Sequence, residues 1–195
     1  MARGRPREFD LDEALDRALE VFWRKGYEGA SMPDLTKAMG INRPSLYAAF
    51  GNKEELFRKA VARYAEGPAA FVGQALNEPT ARAVTARLLE GATNMLTDPR
   101  NPRGCLLVHG ALACEGATEA VRRELAARRA SGESALRRRF ERAVSDGDLK
   151  ADVDCADLAR YFVTVVQGMA VQAAGGASRD ALRRVADIAL RAWPG

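Results

Sequence analysis

Helix start and stop signals recur through the first third of the sequence, and they constrain the fold more than any other feature. Asp10 followed by Glu13 has the form of a capping box, and Gly26 supplies a stop signal. Three further helices are predicted by caps at Ser31, Asn42 and Asn52 and by stops at Gly40 and Gly51. Because start and stop chemistry agrees at all four helices, the pattern predicts a helical N-terminal region.

The rest of the chain keeps a helical period but has weaker boundaries. Helices are predicted over residues 80–97, 105–114, 118–145, 154–174 and 178–193. The segment "DPRNPRG", residues 98–104, is a predicted loop. No useful run of alternating β-branched residues is present, so the predicted fold class is all-α. A domain boundary is predicted near residues 66–72, and whether the fourth helix runs through it stays open.

Composition and charge exclude several classes of protein. Hydrophobic residues make up 47% of the chain and charged residues 29%, as in a folded globular protein. No membrane span and no secretory signal are predicted, and three cysteines fit a reducing cytoplasm. A single histidine argues against a histidine-based metal site or a Ser/His/Asp triad, and no phosphate loop is present. We therefore predict no catalytic residue, no metal and no cofactor, and a cytoplasmic protein.

Residues 31–50, "SMPDLTKAMGINRPSLYAAF", have the plan of a helix-turn-helix motif. The residues spaced to face inward are Met32, Leu35, Met39, Leu46 and Phe50. The second short helix then presents Arg43, Pro44, Tyr47 and Ala48 outward, with Ser45 near the rim. Such a helix fits the major groove of DNA. The alternative is a small helical hairpin within an all-helical core.

Roles for the outward residues follow from their chemistry. Arg43 can donate two hydrogen bonds to guanine, and Pro44 and Ala48 can contact a thymine methyl group. The Tyr47 hydroxyl can reach a phosphate. Lys53, in the first turn of the next helix, lies where its charge and the exposed amides attract another phosphate.

The stretch from Leu11 to Phe57, and especially "GINRPSLYAAFGNKEELF", closely resembles the DNA-binding domain of TetR-type bacterial repressors. The resemblance implies a three-helix DNA-binding domain, assigned to residues 10–66 with the connecting fourth helix. It also implies a C-terminal helical domain, residues 67–195, that dimerises and binds an inducer. Tyr47 and Lys53 match phosphate-contacting positions of that family, and Arg43, Pro44 and Ser45 match its recognition helix. Ser31 and Thr36 complete the predicted DNA contacts, although Thr36 stands where alanine is common.

The N-terminal residues 1–9 form a basic arm. "RGRP" looks like the core of an AT-hook, in which arginines lie in the narrow minor groove of A·T-rich DNA. Arg3, Arg5 and Arg7 are therefore predicted DNA contacts. The alternative is an ordinary soluble chain end.

Two apolar helices at the C-terminus predict a homodimer. The wide apolar face of "CADLARYFVTVVQGMAVQAAGG" and the last helix could pair with their two-fold mates as a four-helix bundle. The alternative is an intrachain core.

The arginine-rich run "VRRELAARRASGESALRRRFERAV" is interpreted as a solvated helix face, with a second DNA surface as its alternative.

Cys105 is the cysteine most suited to a chemical role. It follows "NPRG" and is expected in the first turn of a helix, near Arg100 and Arg103. A helix N-terminus and nearby cations favour the thiolate, the nucleophilic form of cysteine. "RGCLL" is also similar to a segment of TetR-type repressors that sense electrophiles or oxidants. The alternative is inert packing, since free cysteine is among the most buried residue types; Cys114 and Cys155 are weaker candidates.

An effector cavity is expected among the C-terminal helices. The predicted lining residues, each of which could instead be simple core, are Met95, Cys105, His109, Tyr161, Phe162 and Met169. Few acids fall on these apolar faces, which favours a small apolar or electrophilic effector. The leading hypothesis is thus a homodimeric repressor released from an inverted-repeat DNA operator by a ligand or by cysteine modification. The alternative is a constitutive architectural DNA-binding protein without an effector.

Overall fold

The computed structural model describes residues 9–112 and 119–194, with the backbone alone at residues 110–112. Within these ranges the chain is all-α, as predicted, and no strand is found. The helices are α1 (Leu11–Gly29), α2 (Met32–Met39), α3 (Arg43–Phe50), α4 (Lys53–Glu66), α5 (Phe71–Ala75), α6 (Ala81–Thr97), α7 (Leu106–Leu112), α8 (Glu119–Ser145), α9 (Cys155–Ala174) and α10 (Arg179–Arg191).

The caps of the first helices form largely as the sequence predicts. Gly26, at φ +69°, interrupts α1 where a stop was predicted, and one more turn follows it. The side chains of Asn42 and Asn52 each accept a hydrogen bond from a backbone amide of α3 and α4. The capping box at Asp10 is only half formed, because the carboxylate of Glu13 binds Arg17 instead.

The structure shows how the two halves are connected, which the sequence left open. Helix α4 ends at Glu66, where the amide of Gly67 donates to the carbonyl of Arg63, so α4 does not run through the boundary region. A short helix that the sequence reading missed, α5, follows it. Ala70, at its N-cap, provides no side-chain hydrogen bond, which explains why no start signal was visible.

Helices α1 to α4 enclose one small hydrophobic core. Helix α1 packs on both α2 and α4, and the rings of Phe22 and Phe57 meet edge to face at 5.0 Å. Leu35 of α2 and Leu46 of α3 are fully buried in the same core. Burial of each such side chain stabilises the fold by about 1.5–3 kcal/mol, which holds the two short helices in place.

The C-terminal helices form a second layer of helix pairs. Helix α8 packs on α9, and α6 packs on α5, α9 and α10. An aromatic cluster closes one end, where the ring of Trp193 lies 5.6 Å from Phe140 and 5.7 Å from Phe162. Helix α7 contacts α1 and α4, so it joins the two halves of the molecule.

Candidate DNA-binding surface and effector cavity

The turn between α2 and α3 is set by one glycine. Gly40 adopts a left-handed conformation at φ +68°, and its amide donates to the carbonyl of Lys37 at 3.3 Å. The amide of Ile41 donates to the carbonyl of Thr36 at 3.2 Å, which completes the end of α2. Asn42 then accepts from the amide of Ser45 at 2.8 Å and begins α3. The two short helices are therefore joined by a tight turn, as a helix-turn-helix motif requires.

The residues predicted to face inward do so. Leu35, Met39, Leu46 and Phe50 are buried, and Met32 is half-buried. The alternative of a hairpin with both faces inside the core is wrong, because the opposite face of α3 is open to solvent.

Helix α3 presents its predicted outer face. Arg43, Pro44, Tyr47 and Ala48 are exposed and Ser45 is half-buried at the edge. The Nε of Arg43 donates to the Tyr47 hydroxyl at 3.2 Å, and its guanidinium carbon lies 5.6 Å from the Tyr47 ring centroid. The two side chains thus hold each other on the surface, and their contacts with bases or phosphate stay predictions.

Lys53 is held at the start of α4 by an aromatic ring. Its ammonium lies 4.5 Å from the centroid of Tyr27, an arrangement typical of a cation–π contact. Partial burial lowers the pKa of Lys53, while the nearby Glu28 carboxylate acts in the opposite direction. A partly dehydrated ammonium at a helix N-terminus is available to a phosphate at a small desolvation cost.

Ser31 and Thr36 are engaged with their own helix. The Ser31 hydroxyl donates to Asp34 at 2.7 Å and accepts from its amide at 3.1 Å, while the amide of Ser31 donates to the same carboxylate. The Thr36 hydroxyl donates to the carbonyl of Met32 at 3.0 Å. Any contact of either hydroxyl with DNA would use its oxygen as an acceptor or replace these bonds, so both stay predictions.

The predicted minor-groove contacts Arg3, Arg5 and Arg7 lie outside the described residues. Phe9, the last residue of the predicted arm, is half-buried and packs against the hydrophobic core.

A cavity of about 360 Å³ lies between the C-terminal helices and α4. Its apolar wall includes Phe71, Val84, Leu88, Leu136 and Val166. Polar side chains from α8 and α9 also line it, namely those of Arg128, Arg129, Ser131, Glu133 and Gln167. This volume falls in the range of small-molecule sites, and the largely apolar lining suits a ligand with an apolar body.

Met95 and Cys105 line this cavity together with Tyr64 of α4. The Tyr64 hydroxyl lies 3.3 Å from the Cys105 Sγ and 3.7 Å from the Met95 Sδ, and Tyr64 is almost fully buried. Burial raises the pKa of Tyr64 well above its ordinary value. The phenol therefore stays protonated, and its hydroxyl donates a hydrogen bond to sulfur.

Cys105 lies immediately before α7 rather than within its first turn, and its carbonyl accepts from the amide of His109 at 2.9 Å. The expected proximity of Arg100 and Arg103 to the thiol stays a prediction. The guanidinium of Arg100 binds the carboxylate of Asp98, two residues away, at 2.7 Å. Among the described contacts, the polar neighbour of the Cys105 sulfur is Tyr64.

Four predicted lining residues lie outside the cavity wall. Phe162 and Met169 are fully buried on α9, and Tyr161 is exposed beside Phe162. His109 lies against Gly104, at the junction of the two halves. Of the six predicted lining residues, Met95 and Cys105 border the cavity.

Of the other two cysteines, Cys155 has surroundings that disfavour its thiolate, and Cys114 is not among the described residues. Burial raises the pKa of the Cys155 thiol, and the carboxylates of Glu141 and Asp154 act in the same direction. The thiol of Cys155 is thus a poor nucleophile. Cys114 lies outside the described residues.

Helices α9 and α10 leave large apolar side chains in solvent. The most exposed is Ile188 at 57%, and the others are Tyr161, Val171 and Val185. The interpretation of these helices as purely intrachain core does not account for such residues, although buried members such as Phe162 and Leu182 do serve the core. An exposed apolar set on two adjacent helices is typical of a surface that pairs with another chain.

The arginine-rich helix α8 is mostly a solvated face, but two of its arginines turn inward. Arg137 pairs with Glu141 and Arg128 with Glu124, each one helical turn apart. Arg139 is buried and donates to the carbonyls of Glu78 and Pro79. Arg129 donates to the carbonyl of Leu107 at 2.7 Å. Neither inward arginine could be distinguished from its neighbours by helical spacing alone.

The sequence reading also missed Trp23 and Tyr64. The Trp23 Nε1 donates to the carbonyl of Gly104 at 2.9 Å, and its ring meets the Tyr64 ring edge to face at 4.8 Å. Both residues fit the apolar stripes of their helices, so the pattern indicated only burial. The hydrogen bond from Trp23 to Gly104 joins residues 81 positions apart, so no local pattern in the sequence could indicate it.

The described residues contain neither a candidate metal site nor a membrane-spanning helix. No group of three or more His, Cys, Asp or Glu side chains that could hold a metal ion is found among the described residues. None of the helices in the described ranges has the length and apolar character needed to cross a membrane.

The fold and its exposed short helix define a helix-turn-helix protein with a second, helical domain that contains a cavity. Comparison with known families agrees. Residues 14–60 match the model for bacterial regulatory proteins of the tetR family, and residues 82–189 match the tetracyclin repressor-like C-terminal domain. The chain belongs to the TetR family of transcriptional regulators.

Individual relatives span nearly the whole chain. The HTH-type transcriptional repressor ComR of Escherichia coli is 34% identical over 99% of this chain and 93% of its own. The HTH-type transcriptional repressor AcnR of Corynebacterium glutamicum is 30% identical over 90% and 88%. A solved structure of a cysteine mutant of the regulator CifR with a 26-base-pair double-strand operator DNA is 47% identical. It covers 97% of this chain and 100% of that chain, with a TM-score of 0.93.

Proposed function

We propose that this protein is a homodimeric repressor that binds an inverted-repeat DNA operator through α3. The main observation that supports this proposal is the exposed face of α3 above a buried core. The residues on that face are Arg43, Pro44, Tyr47 and Ala48. The width of one α-helix suits the major groove, and its N-terminal residues are those that reach base edges. The likeness to CifR, which was solved on operator DNA, supports the same use here.

Arg43 would read a guanine, and Tyr47 and Lys53 would bind phosphates on either side of α3. In the free chain the Arg43 and Lys53 cations rest on the rings of Tyr47 and Tyr27. The rings hold the cations in the region where DNA would lie, so fewer rotamers would be lost on binding. Ser31, Thr36 and Ser45 would add contacts at the edge of the same surface.

Dimerisation would use α9 and α10. The exposed side chains of Tyr161, Val171, Val185 and Ile188 support this assignment. A single short helix reads few base pairs, and two copies on one face of a duplex would read two half-sites about one helical turn apart. A protein of this kind would act in the cytoplasm, on chromosomal DNA.

The effector would enter the cavity between α4 and α9. The largely apolar lining, with a few polar side chains, favours a small molecule with an apolar body. Cys105, half-buried in that wall, would offer a thiol to an electrophile or oxidant. Ligand binding or thiol modification would favour a conformation whose α3 helices do not match the half-site spacing.

Selection of binding sites from random DNA tests this proposal. A symmetric consensus with two half-sites is expected, and adding an effector or an electrophile should abolish its recovery. Repeating the selection with Cys105→Ser separates the two kinds of effector, because only a thiol-directed compound should lose its action. An asymmetric consensus, or none, would contradict a homodimeric repressor.

A further inference from the structure

Four groups at the junction of the two halves form a closed set of contacts, which we call the junction circuit. The Cys105 Sγ accepts from the Tyr64 hydroxyl at 3.3 Å, and the Tyr64 ring meets the Trp23 ring at 4.8 Å. The Trp23 Nε1 donates to the Gly104 carbonyl at 2.9 Å, and Gly104 is bonded to Cys105. The circuit therefore links α4, α1 and the segment before α7.

The junction circuit has little free space. Tyr64 is 1% exposed and Trp23 is 2% exposed. Gly104 is buried at φ +87°, and a Cβ at that position would collide with the imidazole of His109. Interiors packed to this degree pass on a displacement instead of absorbing it.

The circuit has one side in the cavity and the other on the DNA-binding domain. Tyr64 and Cys105 belong to the cavity wall. Trp23 belongs to α1, whose neighbouring residue Phe22 lies in the core of the DNA-binding domain. Helix α1 packs directly on α2, the first helix of the helix-turn-helix motif.

We infer that the junction circuit carries the state of the cavity to α1. A molecule seated against Cys105, or bonded to its sulfur, displaces the Tyr64 hydroxyl and with it the Trp23 ring. The displacement reaches α2 through α1, in addition to any rotation of α4. This inference rests on the proposed function, in which the cavity and Cys105 receive the effector.

Trp23 itself can report the displacement. The chain has two tryptophans and three cysteines. In the full chain carrying Cys114→Ser, Cys155→Ser and Trp193→Phe, Trp23 is the sole indole and Cys105 the sole thiol. Iodoacetamide then forms one S–C bond at Cys105 while the C–I bond breaks, iodide leaves and the thiol proton passes to the buffer.

Alkylation of this variant is expected to change the emission of Trp23. Adding Tyr64→Phe, which removes only the hydroxyl, should reduce that change several-fold. Adding Ser145→Ala, which removes an exposed hydroxyl on α8, should leave it intact. An unchanged emission, or a change that Tyr64→Phe does not reduce, overturns the inference.

Operator affinity gives a second and separate readout. Protein that carries only Cys114→Ser and Cys155→Ser serves as the wild-type reference, so that Cys105 is its one thiol. The dissociation constant of its alkylated form divided by that of its unmodified form measures the response. Tyr64→Phe should lower this ratio about threefold to tenfold, the factor expected for one hydrogen bond. Trp23→Phe should lower it similarly, whereas Trp193→Phe should not.

The two proposals fail in different ways. If alkylation leaves the operator affinity of the wild type unchanged, release through Cys105 is wrong, and the Trp23 emission still decides the junction circuit. If operator affinity falls equally in the wild type and in Trp23→Phe, the route through α1 is overturned while release through Cys105 stands.

Discussion

Arg63 of α4 and Asp16 of α1 are joined by two parallel hydrogen bonds, from Nε to Oδ1 at 2.7 Å and from Nη2 to Oδ2 at 2.9 Å. A third bond reaches Asp12 at 3.3 Å. The bonds to Asp16 raise the pKa of Arg63, so the guanidinium stays charged. Because Tyr64 is the next residue of α4, two consecutive residues of α4 contact α1, Arg63 through this pair and Tyr64 through the Trp23 ring.

Arg43→Ala should change which operators are bound. Loss of a bidentate contact to guanine is expected to cost about 1–3 kcal/mol at one base pair of each half-site. Binding-site selection with the variant should show relaxed preference at that base pair and unchanged preference elsewhere. Arg82→Ala, which removes an exposed arginine of α6, serves as the control, and a uniform loss across all sequences would instead make Arg43 a phosphate contact.

Lys53→Ala should weaken binding to all operator sequences about equally. A lost phosphate contact is expected to lower the slope of log affinity against log salt by about 0.9 for each Lys53. Titrations of labelled operator at several salt concentrations measure this slope. Lys53→Arg should keep it, and an unaltered slope in Lys53→Ala would remove this lysine from the DNA-binding surface.

Gly104→Ala should destabilise the protein even though it adds only one methyl group. The backbone at φ +87° is strained for any residue with a Cβ, and the added atom collides with His109. We expect a loss of about 1–3 kcal/mol in the free energy of unfolding. Denaturant titrations measure it, and Gly73→Ala, where a Cβ has open space, is the control.

The double variant Gly104→Ala, His109→Ala separates the two causes. Removing the imidazole relieves the collision and should restore part of the loss, while the backbone strain persists. A Gly104→Ala protein as stable as the wild type would show that the segment before α7 can adopt another conformation.

Ile188→Asp should convert the dimer into a monomer. Ile188 is 57% exposed in the single chain, so the substitution should leave the fold of each protomer intact. Burying an unpaired carboxylate in an apolar interface is strongly unfavourable. Analytical ultracentrifugation measures the change, and Arg82→Asp, at an exposed position of α6, is the control. Persistence of the dimer would place its interface elsewhere.

Asp34 should contribute to stability only while it is ionised. The hydrogen bond from the Ser31 hydroxyl, followed by Lys25, lowers the pKa of Asp34 from 3.8 to about 2. A lowered folded pKa means that the contribution is present above pH 3.8 and is lost as the pH falls toward 2. The stability difference between wild type and Asp34→Asn should therefore narrow over that interval. Carboxyl NMR titration of Asp34 checks the pKa directly, and a normal value would contradict the cap geometry.

Local features of this fold could be predicted because their causes lie within a few residues. Asn42 and Asn52 cap α3 and α4 through amides three residues away, and Gly40 ends α2 by its own conformation. The exposed position of Arg43 follows from the helical period that buries Leu46. Helix α5 escaped prediction because its first residues provide no side-chain cap.

The cavity and the junction circuit could not be predicted in the same way. An apolar stripe shows that a helix has a buried face, but not whether its residues meet a neighbour or border a space. Val166 borders the cavity, whereas Phe162, one turn earlier on α9, fills the core. His109 and Cys105 were both predicted to line the cavity. In the structure Cys105 borders it, whereas the His109 side chain lies against Gly104.

The sequence by itself determined most of the helices, the capped starts of α2, α3 and α4 and the outward face of α3, because capping bonds and helical periodicity act over one or two turns. Only the tertiary structure decided that Trp23 meets Gly104, that Arg139 and Arg129 turn inward, and that Tyr64 lies against Cys105. These pairings depend on how whole helices pack, and packing is settled by the shapes of all the buried side chains together.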